Sequence, residues 1–182
     1  MLQDLLVPMA VVGLAELGDK TQIAIFLLST KTKEHIKLLS GAILAFLLAD
    51  GLAVAAGGYV NRVMPIDTLK LVSGLIFILF GVITLMSNRK EERTFEFTRP
   101  FYSGFTVIFI SELGDKTQIA SVLFAARYNP LFVFVGVMMT LSLLSIMALY
   151  LGKVIATKVN EKLLSTVGGF AFIVVGVAVL VG

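Results

Sequence analysis

Glu16-Leu17-Gly18-Asp19-Lys20-Thr21-Gln22-Ile23-Ala24 returns unchanged as Glu112-Leu113-Gly114-Asp115-Lys116-Thr117-Gln118-Ile119-Ala120. Nine identical residues at an offset of 96 mark an internal duplication. The echo continues at an offset of 95, where Gly41 matches Gly136, Gly57 matches Gly152, Gly74 matches Gly169 and Gly81 matches Gly176. The repeated unit therefore extends well past the motif, with one residue lost in the first loop of the second copy.

The motifs lie in a chain of 182 residues that is 58% hydrophobic and only 15% charged, with mean hydropathy +0.97. Apolar runs of about 20 residues have the length of a membrane-spanning helix. Six are expected, over 5–28, 38–59, 68–87, 101–126, 131–152 and 163–181. They consume most of residues 1–182, so a single all-α membrane domain is expected. Three helices per copy is an odd number, so the second copy must enter the membrane from the opposite side. The expected architecture is six transmembrane helices as two inverted three-helix repeats, residues 1–90 and 101–182, joined by a charged linker at 88–100.

Lysine and arginine set the orientation. Lys31, Lys33, Lys37, Arg89, Lys90, Arg93, Arg99, Lys153, Lys158 and Lys162 fall in the loops on one side, against Arg62, Lys70 and Arg127 on the other. That bias predicts both termini outside and the linker in the cytoplasm. Asp4, with no Lys or Arg before the first apolar run, is unlike a cleavable signal, and no transit peptide is visible. A prokaryotic cell (inner) membrane is the expected location. Pro65, Pro100 and Pro130 stand at helix starts, where a missing N–H is harmless.

Composition excludes several kinds of chemistry. Without cysteine there is no disulfide or thiolate metal site, and the sole histidine, His35, is expected in a solvated loop. The methionines read as packing rather than copper ligands. A pI near 9.2 does not imply nucleic acid, because the basic residues sit in short interhelical loops that meet lipid headgroups. No prosthetic group is expected.

Each motif places two carboxylates and an ammonium near mid-membrane. Each such charge costs roughly 2.5–3.5 kcal/mol at a helix centre on the translocon scale, so they must face an interior, pair, or bind an ion. On a continuous helix Glu16, Asp19 and Lys20 share one face, Glu16 and Lys20 pair four apart, Gln22 flanks them, and Thr21 bonds its own backbone. Gly18 and Gly114 are positions where a helix can open. A pseudo-twofold axis would join Glu16, Asp19, Glu112 and Asp115 into one oxygen-rich cage suited to Ca²⁺, Mn²⁺ or Mg²⁺. Four carboxylates and two ammonium groups leave two negative charges, which one divalent ion or two protons neutralise. A site satisfied by either, but not both, has the physics of an exchanger. Buried ion pairing alone explains the motifs poorly, since such pairs stabilise less than apolar packing.

Lys20, Thr21, Gln22, Lys116, Thr117 and Gln118 are the expected supporting residues. Asp50, mid-helix in the second span, joins them as an ion or proton group or as a structural partner of Lys20 or Lys116. Its repeat counterpart is Ser145. Ser111, where the first copy has Ala15, is a further candidate oxygen ligand.

The doubled Glu-x-Gly-Asp-Lys-Thr motif resembles that of the Gdt family of cation/proton antiporters, and the likeness covers the whole chain. The resemblance implies Ca²⁺/H⁺ or Mn²⁺/H⁺ exchange, with Glu16, Asp19, Glu112 and Asp115 in cation binding. Its companions would be Lys20, Thr21, Lys116 and Thr117, and a bacterial manganese exporter is the nearest type. A passive divalent cation channel and a small-molecule exporter are the alternatives. An intramembrane acid–base enzyme is disfavoured, because the repeated carboxylates come with no nucleophile.

Overall fold

The computed structural model describes residues 2–86, 97, 99–158 and 161–181. The charged linker at 88–100 lies outside the described residues apart from Phe97, Arg99 and Pro100, as do the side chains of Lys153, Lys158 and Lys162. The described residues form helices and no strands: α1 (Leu2–Glu16), α2 (Lys20–Ser29), α3 (His35–Val63), α4 (Ile66–Met86), α5 (Pro100–Glu112), α6 (Lys116–Arg127), α7 (Pro130–Lys158) and α8 (Glu161–Val181).

The expected continuous helices at 5–28 and 101–126 are each broken inside the motif. Gly18 and Gly114 adopt φ of 79° and 75°, a left-handed conformation that L side chains rarely take and a helix cannot continue through. Asp19 and Asp115 then run extended, with φ −73° at both, before α2 and α6 start one residue later. Helical periodicity therefore does not place Glu16, Asp19 and Lys20; the turn does. His35 also departs from expectation. It opens α3, contacts the Thr32 carbonyl at 3.0 Å and meets the Tyr150 ring edge-on.

Each long helix of one half accompanies the broken pair of the other half. Gly41 near the start of α3 abuts the backbone of Phe101 and Phe105 in α5, and Gly57 near its end abuts Val122 and Ala125 in α6. Thus α3 runs parallel to the α5–α6 path. In the same way Gly136 of α7 meets the Leu5 backbone, and the Thr140 hydroxyl meets the Met9 carbonyl at 3.2 Å, so α7 follows α1 in parallel. The pair α4 and α8 runs antiparallel through its own glycines: Gly74 faces Gly176 and Gly81 faces Gly169. The glycines add no side chain of their own at these positions, so the backbones approach closely, as small residues permit in lipid.

The polarity pattern is that of a membrane protein. Large apolar side chains such as Leu52, Leu71, Ile110, Leu143 and Val174 cover the outer surface, while Glu16, Thr21, Gln22, Asp50, Glu112, Thr117 and Ser121 are buried. By length and hydropathy α3, α4 and the Pro130–Leu151 part of α7 can each cross a bilayer alone; the apolar part of α8, Thr166–Val181, is shorter. A core of Phe46, Phe77, Phe124, Phe172 and Ile25 packs around the broken helices, with the Phe77 and Phe124 rings 4.9 Å apart.

Candidate cation site

The two breaks meet, and their side chains bond crosswise. Thr21 Oγ1 donates to Glu112 Oε1 at 2.7 Å, and Thr117 Oγ1 donates to Glu16 Oε1 at 2.8 Å. Lys20 Nζ donates to Asp115 Oδ1 at 3.0 Å, and Lys116 Nζ donates to Asp19 Oδ2 at 2.7 Å. Each threonine serves the opposite glutamate, and each lysine the opposite aspartate. The expected Glu16–Lys20 pair within one helix is not formed, because the break turns Lys20 toward the other half. Nor does Thr21 bond its own backbone; a buried carboxylate takes its hydroxyl instead. Charge-assisted bonds of this kind are the stronger class.

The glutamines hold the breaks open. The N–H groups of Gly18 and Gly114, which a continuous helix would use, donate to Gln22 Oε1 at 3.1 Å and Gln118 Oε1 at 2.8 Å. Their amide NH₂ groups then diverge. Gln22 Nε2 donates to its own half at the Glu16 carbonyl, 2.6 Å away, whereas Gln118 Nε2 reaches the Ala49 carbonyl of α3 at 3.2 Å. Irregular backbone at membrane depth is tolerated only where its polar groups find such partners or line a cavity.

Glu16, Asp19 and Asp115 bring carboxylate oxygens within 4.8 Å of one another, a spacing compatible with one ion. This differs from the four-carboxylate cage expected from the motif, since Glu112 is not part of that cluster. The cluster is already served by an amine: besides Asp19, Lys116 Nζ lies 3.6 Å from Glu16 Oε1 and 3.8 Å from Asp115 Oδ2. Access falls off inward, from 35% exposure at the Lys20 side chain to 2% at Glu16.

Asp50 is buried on α3 and bonds neither lysine; its Oδ1 accepts from Ser121 Oγ at 3.1 Å. Ser121, just beyond the repeated nonapeptide, is the polar residue that the sequence reading missed. Its counterpart at an offset of 96 is Ile25, so duplication gave no signal for it. Ser111 is buried immediately before Glu112. Beside Glu16 a small recess is lined by Thr21, Gln22, Ile25, Phe46, Leu141, Leu144 and Ser145.

Helices with a lipid-facing apolar surface, broken at two points where buried acids converge, define a multi-pass membrane transport protein. The profile described as "Divalent cation/proton antiporter GDT1" matches residues 4–92 and 100–182, and the chain belongs to that family. It is 30% identical over 177 residues, 96% of this chain and 88% of the other, to a Vibrio cholerae protein described as "Putative manganese exporter". It is also 24% identical over 210 residues to GDT1-like protein 5 of Oryza sativa subsp. japonica, covering 93% and 90% of the two chains. A Schizosaccharomyces pombe GDT1-like protein is 35% identical over 98 residues, 54% of this chain and 37% of that one. No solved structure matches. The chain is a divalent cation transporter and not an enzyme.

Proposed function

We propose that the protein exchanges a divalent cation, Mn²⁺ first and Ca²⁺ second, for protons by alternating access, and that Glu16, Asp19, Glu112 and Asp115 bind the cation. The observation that carries this reading is the crosswise bonding of the two motifs, which makes one polar centre from two distant stretches of sequence. A centre shared between two helix breaks can be opened by moving either half against the other. Lysines held among the acids speak against a passive channel, because fixed ammonium groups oppose rapid cation flow.

The same reading takes α1–α2 and α5–α6 as single interrupted spans, giving six spans in two inverted repeats, 1–90 and 101–182. Repeat counterparts α4 and α8 run antiparallel through matched glycines, as inversion requires. Both termini would lie outside a prokaryotic cell (inner) membrane, with the 88–100 linker in the cytoplasm.

Metal uptake and internal pH, recorded together in proteoliposomes, test the proposal. The wild type should move Mn²⁺ with an opposite proton flux. Asp19→Asn and Asp115→Asn should abolish both while remaining folded. Normal metal flux in both variants, or flux indifferent to a proton gradient, would refute it.

A further inference from the structure

We propose that Asp50, which lies outside the duplicated motif, is a further direct ligand of the transported cation beside the four motif acids, and that with Glu112 it draws the ion toward one end of the polar centre. This deepens the transporter reading and rests on it.

The starting point is a pair of carboxylate oxygens with nothing to bond. Asp50 and Glu112 are each 1% exposed. Asp50 Oδ1 is served by Ser121 and Glu112 Oε1 by Thr21, yet Asp50 Oδ2 and Glu112 Oε2 are buried without a hydrogen-bond partner. Buried polar atoms without a partner are rare and costly, and each calls for an explanation. Two come from acids on helices α3 and α5, which pack against one another, and Gln118 of the second break reaches the Ala49 carbonyl beside Asp50 at 3.2 Å. A cation between them satisfies both.

The lysines sharpen the argument. Lys116 and Lys20 engage Glu16, Asp19 and Asp115, so two ammonium groups face three carboxylates and leave one negative charge. Among the described residues no ammonium or guanidinium pairs with Glu112 or Asp50, which leaves two. Two of the three negative charges still to be neutralised therefore lie at the Glu112–Asp50 end, and those two match one divalent ion. The oxygens on hand there, two carboxylates with the Ser121 and Thr21 hydroxyls, are hard donors of the kind Mn²⁺ and Ca²⁺ accept. Both hydroxyls spend their protons on the carboxylates, which leaves lone pairs for a metal.

The other end cannot do the same. There Asp50 is replaced by Ser145, whose hydroxyl donates to the Leu141 carbonyl of its own helix at 2.7 Å, and Ser121 is replaced by Ile25. The recess beside Glu16 is walled mainly by Ile25, Phe46, Leu141 and Leu144. Duplication built a symmetric frame, and these two substitutions make the ion position one-sided.

Asp50 also ties α3 to α6 through Ser121, so the test must separate ligand from tie. Mn²⁺ binding to the purified full-length protein in detergent is measured by calorimetry and by the Mn²⁺ electron spin resonance signal, with melting temperature as the control for folding. Asp50→Asn should weaken Mn²⁺ binding by about tenfold or more, the scale of loss when metal-site partners are removed. Ser121→Ala breaks the same interhelix bond and removes one neutral oxygen but keeps the carboxylate, so it should weaken binding clearly less than Asp50→Asn does. Equal losses in the two variants, or normal binding by folded Asp50→Asn, would overturn the proposal. Should Asp50→Asn not fold, Glu112→Gln must weaken binding more than Glu16→Gln does; the reverse order would also overturn it. If the wild type binds neither Mn²⁺ nor Ca²⁺, the transporter reading itself fails. If Glu112→Gln loses binding and Asp50→Asn does not, only this inference fails.

Discussion

The ammonium of Lys116 stands 2.7 Å from Oδ2 of Asp19, an aspartate 97 positions earlier in the chain and at the other helix break. Two further carboxylates approach the same nitrogen, from Glu16 at 3.6 Å and from Asp115 at 3.8 Å. The amine thus occupies the middle of an acidic cluster whose oxygens lie close enough to share an ion. Its position is that of a tethered counter-charge, which offsets part of the negative charge of the three acids.

Lys116→Met should accordingly destabilise the metal-free protein strongly. Removing one partner of a buried ion-pair network leaves uncompensated charge and costs about 3 kcal/mol. Mn²⁺ or Ca²⁺ should then raise the melting temperature of the variant more than that of the wild type, because a divalent ion can take the vacated place. Lys20→Met should show a smaller fall, since water screens its more open side chain. Equal metal stabilisation of wild type and Lys116→Met would contradict the role of tethered counter-charge.

The threonine–glutamate bonds give a second prediction. Thr21→Val and Thr117→Val preserve side-chain volume but deprive Glu112 and Glu16 of their hydroxyl donors. Leaving a buried carboxylate oxygen without a donor costs about 1–3 kcal/mol in each case. Thr→Ser at either position should recover most of the loss. Unfolding of the detergent-solubilised protein in denaturant measures these costs. Thr→Val variants as stable as wild type would mean that the hydroxyls are not needed.

A third prediction concerns the breaks. At Gly114 an added Cβ would meet nothing within 4 Å, so Gly114→Ala isolates backbone strain from packing. The left-handed conformation costs an L residue about 1–2 kcal/mol. Because the strain is relieved only by re-forming helix through the break, Gly114→Ala should lower transport more than it lowers expression. Initial rates of Mn²⁺ uptake at matched protein levels would measure this. Full transport by the variant would show that the break tolerates an ordinary residue.

The duplication and the apolar runs made the helical membrane class legible before any coordinates, and the motif named the residues that now meet. What the sequence did not disclose is which partner each residue chooses. Periodicity assumed an unbroken helix and paired Glu16 with Lys20. One left-handed glycine redirected that lysine to Asp115, and the information lay in a φ angle rather than in spacing. Asp50 was visible as an intramembrane acid, but its link to Ser121 depends on α3 running beside α6, a tertiary choice no local pattern encodes. Ser121 itself was hidden by the argument that found the rest, because it is a place where the two copies differ.

The seam between α4 and α8 supports a final prediction. A Cβ added to Gly81 would lie 2.6 Å from the Gly169 carbonyl oxygen, and one added to Gly176 would lie 2.7 Å from the Gly74 carbonyl oxygen. Backbone cannot swing aside as a flexible side chain can, so Gly81→Val must push the two helices apart. Overpacking of this kind costs about 1–3 kcal/mol, and here it also gives up the close backbone contact that holds helices together in lipid. Gly51→Ala is the matched control: its Cβ would rest 3.6 Å from the Phe134 ring, an ordinary contact. Replacing a helical glycine with alanine there can even stabilise, by up to about 1 kcal/mol. Gly81→Val should therefore melt well below wild type and Gly51→Ala at or above it. If both variants melt alike, α4 and α8 are not held by their glycines, and the antiparallel pairing on which the inverted-repeat reading leans loses its physical basis.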